Sequence, residues 1–284
     1  MRTRRTRAIA EAALASLVAQ LDGRTDGLVV VGGLNPELLA PVPEAPHQGT
    51  ADIDLVVQLG FVYDRDELDL GWLEAALDAT GFVPVGESRA WQWVMTLEDT
   101  PVRIDLLTDV LDHRGQQLTV PGCTRMTVQN VAGPAPALRD PVIRRLAVPS
   151  GDLTTWVDVP FANLGGYLLA KAAAVLGRRA DRDPYDLAFV VQHNTAGGPR
   201  AAARAARAAL PAGREQEFDG VLRAALAQLT DPRGRAARLY ATQRVADGDP
   251  LPADVLAADA AAAARQCLAE LDLSPTTPPR PLAG

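Results

Sequence analysis

The chain has 284 residues, 48% of them hydrophobic, with 28 Lys plus Arg against 35 Asp plus Glu and a formal net charge of −7. This length accommodates one large or two small domains with an ample core. The acidic balance argues against gripping long duplex nucleic acid through a broad basic surface. No apolar run reaches membrane length, and Cys123 and Cys267 lie far apart without metal-site spacing, which suits a reducing cytoplasm.

The start, from Met1 to Arg7, is basic, but Glu11 and Gln20 interrupt the apolar stretch behind it. It reads as an amphipathic helix over 8–21, with Ile9, Ala13, Leu14, Leu17, Val18 and Leu21 at helical spacing, and a secretory signal is not expected. A strand over 28–31 then runs into Gly32-Gly33, and a second over 52–59 opens with Asp52-Ile53-Asp54. Strand side chains alternate faces, so Asp52 and Asp54 project together and Ile53 turns into the core. Two carboxylates this close repel unless a cation lies between them. Hard oxygen donors suit Mg²⁺, which is commonly held by one or two carboxylates plus substrate phosphates. A glycine turn offers backbone N–H groups to those phosphates. The combination points to metal-assisted nucleotidyl transfer. Asp-x-Asp alone would more simply be a strand entry at the surface, so the reading needs a third acid.

Residues 68–80 read as a helix closed by Gly81, followed by strands over 82–85, 91–97 and 102–107. Asp105 interrupts the last, apolar strand, where a charge is costly unless paired or metal-bound, and it supplies the third acid. Asp109 and Asp112 read as ordinary turn acids. Trp91 and Trp93 alternate along one strand and read as packing on one face of the sheet. Residues 115–150 mix short strands with Gly and Pro turns. A hairpin follows, 144–148 and 153–159 about Pro149-Ser150-Gly151, and Pro160 is expected to stop strand pairing. From 161 to about 273 the pattern is helical and Ala-rich, broken by Gly197-Gly198-Pro199 and Pro211-Ala212-Gly213. Asp231-Pro232 reads as an N-cap with Pro in the first turn.

The chain has a single lysine, Lys171, in a helical stretch over 161–177 that is apolar nearly all round. An ammonium is a compact charge suited to a phosphate oxygen, and this one is expected to face a cleft. Beyond it, Asp183 reads as a helix cap with Pro184 at the first position, and Asp186 points further in. Arg178, Arg179, Arg182, Arg200, Arg204 and Arg207 offer a local patch for an RNA end, although a solvated helix surface is the commoner source of such arginines. His47, His113 and His193 show no zinc or triad spacing; His47 is notable only for adjoining the first acids.

Gly32-Gly33, Asp52-x-Asp54, Asp105, Lys171 and Asp183-x-x-Asp186 follow one another in a fixed order. In that order the chain resembles, over about residues 28–193, the AbiEii-type nucleotidyltransferases of the polymerase-beta-like superfamily. That family includes toxins of bacterial toxin–antitoxin and phage-defence systems, among them MenT-like toxins. The resemblance implies an α/β N-terminal nucleotidyltransferase domain with a mixed sheet; the pattern of elements bounds it at 1–159, ahead of an all-α helical domain over 160–273, and the Pro-rich composition of 274–284 reads as a flexible tail. It implies two Mg²⁺ held by Asp52, Asp54 and Asp105, catalysis by these with Lys171 and Asp186, and nucleotide contacts from Gly32, Gly33, Thr50 and Lys171. The implied substrate is a nucleoside triphosphate, the acceptor a tRNA 3′ end, the partner a cognate antitoxin and the location cytoplasmic, away from membranes. One position departs from the family: Gln48 stands where an arginine precedes the acids, while Thr50 is retained, so another arginine, Arg103, is expected to serve. Two rivals stand beside this reading: an antibiotic-type small-molecule nucleotidyltransferase, and a degenerate, non-catalytic nucleotide-binding module.

Overall fold

Residues 4–42, 44–60, 68–86, 89–148, 154–178 and 180–273 are described by a computed structural model of the chain. Its first half runs α1 (Arg4–Ala19), β1 (Leu28–Val31), α2 (Asn35–Leu39), β2 (Asp52–Val57), α3 (Gly71–Thr80), β3 (Val83–Pro84), β4 (Gln92–Leu97) and β5 (Thr100–Thr108). There follow β6 (Gln117–Thr119), β7 (Thr127–Asn130), β8 (Val142–Val148) and β9 (Thr155–Phe161). These strands form one mixed sheet in the order β3-β4-β5-β2-β1-β9-β8, with β7 joined to the end of β5 and β6 beyond it. The pairs β2–β5, β1–β9 and β5–β7 are parallel; β1–β2, β4–β5 and β8–β9 are antiparallel.

Side-chain alternation assigns the two faces of the sheet. Leu28, Val30, Ile53, Leu55, Ile104 and Leu106 turn to α1 and α3 and share a core with Leu14, Leu17, Leu73 and Leu77. Val29, Val31 and Val56 turn the other way, into a second core built by the helices that follow. The central strands are therefore apolar on both faces, as a sheet covered on both sides requires.

The helical region comprises α4 (Leu164–Gly177), α5 (Arg182–His193), α6 (Gly198–Ala208), α7 (Glu215–Ala227), α8 (Arg235–Ala246) and α9 (Ala253–Asp272). Asn163 starts α4 by accepting a hydrogen bond from Gly166 N at 2.8 Å. Small residues let α4 sit close to its neighbours. A Cβ on Gly165 would collide with the carbonyl oxygen of Ala205 in α6, and one on Gly166 would lie 2.7 Å from Ala137 Cα.

Several local expectations are corrected. Pairing passes through Pro160 to Phe161, and Ala162 N still donates to Val30 O at 2.9 Å; proline removes one donor but leaves the rest of the ladder intact. Asp231-Pro232 forms a turn ahead of α8, whose N-cap is Gly234. Asp109 is no ordinary turn acid. Its buried carboxylate accepts from Gly133 N at 2.8 Å and Ala135 N at 3.2 Å, and pairs with Arg214 at 3.4 Å, tying the end of β5 to the helical region. The hairpin turn 149–151, Arg179 and the tail 274–284 lie outside the described residues. Among the described residues no helix is long and apolar enough to cross a membrane.

Gly165→Val should lower stability by about 1–3 kcal/mol through overpacking at the α4–α6 contact, seen as a lower urea midpoint. Gly177→Ala, with open space around the glycine, should leave the midpoint level or raise it.

Candidate active site

Strand register builds the floor of the site. Val31 lies opposite Asp54, Asp54 beside Asp105, and Asp105 opposite Gln92, giving one row across β1, β2, β5 and β4. The row lies on the face turned to the helices, because Ile53 and Ile104 occupy the other. Asp54 and Asp105 are buried, at 8% and 6% exposure. Gln92 Nε2 donates to Asp105 Oδ1 at 3.1 Å. Gly32 has φ +78° and a Cβ there would fall on the Asp54 carboxylate. Glycine is thus demanded twice, by a left-handed backbone and by the approach of the acid. A Cβ on Gly33 would run into Thr50. Thr50 Oγ1 accepts from Asp52 N at 3.0 Å and lies 3.2 Å from Asp52 Oδ2, which fixes that acid at the strand entry.

Asp52 is engaged by two arginines: Arg103 Nη2 at 3.1 Å from Oδ1 and Arg182 Nη1 at 3.0 Å from Oδ2. Arg103 Nε also lies 3.0 Å from Asp105 Oδ1. Among the described residues, Gln48 reaches only Pro46 O, at 3.5 Å. Arg103 therefore stands among the acids as expected, and Arg182, from the start of α5, joins it.

A second layer comes from the helices. Lys171 is 5% exposed. Its ammonium lies 3.1 Å from Asp183 Oδ1 and 3.0 Å from Asp186 Oδ2. Arg178 donates through Nε and Nη2 to the two oxygens of Asp183, at 2.7 and 3.1 Å. His47 Nε2 lies 2.8 Å from Asp186 Oδ1, with its ring stacked on Tyr185 at 5.1 Å. Asp183 is not the helix cap that its place before Pro184 suggests. The N-cap is Asp181, and Asp183, inside the first turn, points with Asp186 at Lys171. The loop carrying His47 is pinned further by Arg244, which donates to Ala45 O. In the sequence, Arg178 or Arg179 belongs with Lys171 to the motif that carries the resemblance, Arg182 reads only as one of an arginine patch, and His47 is marked only by adjoining the first acids. His47 and Asp186 are 139 positions apart, so no local signal joins them.

Burial pushes the Asp54 carboxyl above its ordinary 3.8, against the pull of Lys171, Arg178 and Arg182. Burial, reinforced by the Asp54 charge, pushes Asp105 up to about 6, against Arg103. Asp183 moves the other way: burial opposes its ionisation, but Lys171 and Arg178 hold its carboxyl below the usual range. The folded chain keeps the Asp105 proton to about pH 6, whereas the unfolded chain gives it up near 3.8. That contribution favours folding below pH 3.8 and is lost as pH rises to about 6. The floor is thus a pair of buried carboxylates whose ionisation burial opposes more than the nearby cations favour it.

Above it opens a cleft of about 770 Å³, lined by Gly32, Asp54, Asp105, Lys171 and Arg178 among mostly apolar walls, within the size range of small-molecule sites. Trp91 lines this cleft while Trp93 is buried in the core, so the two do not share one environment as the alternation suggests; Trp91 precedes the start of β4. Among the described residues no group of three or more His, Cys, Asp or Glu side chains converges to hold a metal ion. Asp54 and Asp105 are neighbours, while Asp52 is held by its arginines. The arginine patch is also divided. Arg178 and Arg182 reach the site, but Arg204 pairs with Glu270 at 3.0 Å and Arg207 donates to the Glu270 and Leu271 carbonyls.

No protein-family model, curated protein or solved structure matches this chain.

Lys171→Ala would leave Asp183 and Asp186 buried without their shared cation. Removing one partner from a buried ion pair costs about 3–5 kcal/mol, so a large fall in the urea midpoint is expected whether or not nucleotide is present.

Proposed function

We propose that the protein is a Mg²⁺-dependent nucleotidyltransferase with a polymerase-beta-like N-terminal domain, acting on a nucleoside triphosphate. The observation that carries this reading is the buried pair Asp54 and Asp105, side by side on neighbouring strands at the floor of a cleft of about 770 Å³ that Lys171 and Arg178 also line. The donor set fits a divalent cation: two carboxylates leave the remaining positions to substrate oxygens and water. Asp54 and Asp105 would hold it, and Asp52 would contribute on exchanging an arginine for the metal. Bound there, Mg²⁺ supplies Lewis acidity toward the α-phosphoryl group and the acceptor hydroxyl.

The protein's own groups supply the rest. Gln92 and Arg103 hold the Asp105 carboxylate in place. The turn at Gly32-Gly33 keeps the backbone close to the acids and offers its amides to phosphate. Lys171 has a third N–H beyond the two turned to Asp183 and Asp186. Trp91, in the cleft wall, would give a base an aromatic side chain to pack against.

The motif order favours an RNA acceptor, a tRNA 3′ end, and hence a growth-inhibitory cytoplasmic toxin with a cognate antitoxin. The division of the arginine patch, with Arg204 and Arg207 committed to α9, favours the second reading, a small hydroxylated acceptor.

Incubation with Mg²⁺, each labelled nucleoside triphosphate, total tRNA and a panel of hydroxylated metabolites separates the two. Label on tRNA supports the toxin reading; label confined to a small molecule supports the second; absence of transfer to anything removes both. Asp54→Asn should lower transfer on the order of a thousandfold, the effect of several kcal/mol of lost transition-state stabilisation.

A pH series gives an independent check. Protons compete with the cation for a carboxylate. Mg²⁺ affinity measured by calorimetry should therefore weaken as pH falls through about 6, where Asp105 takes its proton, and level off above. A flat profile between pH 5 and 8 would remove Asp105 from the cation site.

A further inference from the structure

The expected phosphate cation, Lys171, is already balanced by two buried carboxylates. Its ammonium sits 3.1 and 3.0 Å from Asp183 and Asp186 and is 5% exposed. The other cations differ in how far they are committed. Arg103 spans Asp52 and Asp105, Arg182 is on Asp52, and Arg114, which also lines the cleft, pairs with Glu217 at 3.0 Å. Arg178 is arranged otherwise. Nε and Nη2 are both taken by Asp183, whose side chain is fully buried, while the Arg178 side chain is 44% exposed. Among the described residues, its Nη1 has no hydrogen-bond partner. Arg178 lies just past the end of α4, where the backbone leaves the helix in an extended conformation, and it lines the cleft beside Asp54.

A guanidinium gripped along one edge by a buried carboxylate is held in plane, with its remaining N–H groups presented outward. A planar fork of this kind suits phosphate oxygens, and its orientation is fixed before the ligand arrives. Lys171 has a different part in this arrangement. It neutralises Asp183 and Asp186, and Asp186 is tied in turn to His47, so the acid that orients Arg178 can stay buried and ionised.

We infer that Arg178, oriented by Asp183, is the direct ligand for the substrate's phosphate chain, and that Lys171 acts mainly as the counter-ion supporting this arrangement. The inference takes the phosphate ligand from the nucleotidyltransferase reading, but its test needs no turnover.

The test is calorimetric binding of inorganic tripolyphosphate to the full chain, with and without Mg²⁺, for wild type, Arg178→Gln, Arg178→Lys and the exposed control Arg238→Gln. Arg178→Gln should weaken binding at least tenfold, measured well below an unfolding midpoint that should itself fall because Asp183 loses one of its two cations. Arg178→Lys should recover part of the loss, since it restores charge without the fork. Arg238→Gln should bind as wild type. As a measurement independent of variant folding, wild-type protein is treated with an arginine-specific dicarbonyl and its peptides are weighed; tripolyphosphate should protect Arg178. Binding by Arg178→Gln within twofold of wild type, an equal loss in Arg238→Gln, or equal modification of Arg178 with and without tripolyphosphate would overturn the inference. Loss of tripolyphosphate binding in Arg178→Gln, in a protein that transfers no nucleotide, would uphold the phosphate ligand and remove the enzymatic reading. Transfer by Arg178→Gln with an unchanged KM for nucleotide would do the reverse.

Discussion

The register between β2 and β5 is the constraint on which the site depends. Setting Ile53 beside Ile104 and Leu55 beside Leu106 buries four aliphatic side chains against α1 and α3. The same register sets Asp54 beside Asp105 on the opposite face. A slip of one residue would exchange the faces, placing carboxylates in an apolar core and aliphatics in the cleft. Hydrophobic burial on one side of the sheet therefore enforces proximity of two like charges on the other, although the acids repel.

That proximity explains much of the surrounding chemistry. Arg103 and Arg182 offset part of the negative charge and meet at Asp52, with Arg103 reaching Asp105 as well, but burial outweighs them and leaves Asp54 and Asp105 with raised carboxyls. The helices add a second charged layer in which Lys171, Arg178 and His47 meet Asp183 and Asp186. Buried ion pairs contribute little net stability, because desolvation offsets attraction, but breaking one is costly. Such a network fixes relative position more than it adds stability. It joins α4, α5 and the loop before β2, the three elements that meet over the acids.

Some of the site was legible because its signals are local. Asp52 and Asp54 follow strand alternation, and Asp105 is a charge in an apolar strand. Lys171 is the chain's sole lysine, on an apolar helix. The elements followed their periodicity, with ends differing by a few residues. What was not legible depends on contacts distant in sequence. Asp109 resembles any acid after a strand, yet Arg214, 105 positions later, makes it a buried tie. Asp183 carries the signature of a cap, but Lys171 and Arg178 recruit it instead. Trp91 and Trp93 look equivalent until the start of β4 separates them.

The sequence by itself determined the α/β and helical halves, the acids at the strand entry, the glycine turn before them and the apolar faces of the central strands. These follow from alternation, helical spacing and backbone conformation within a few residues. Tertiary structure alone decided that Asp54 and Asp105 are neighbours while Asp52 belongs to two arginines, that His47 supports Asp186, and that Arg204 and Arg207 bind α9 while Arg178 faces the cleft. The physical reason is that charge, unlike backbone conformation, is settled by whichever groups burial brings within a few ångströms. That set is chosen by the packing of the helices on the sheet, which no local pattern encodes.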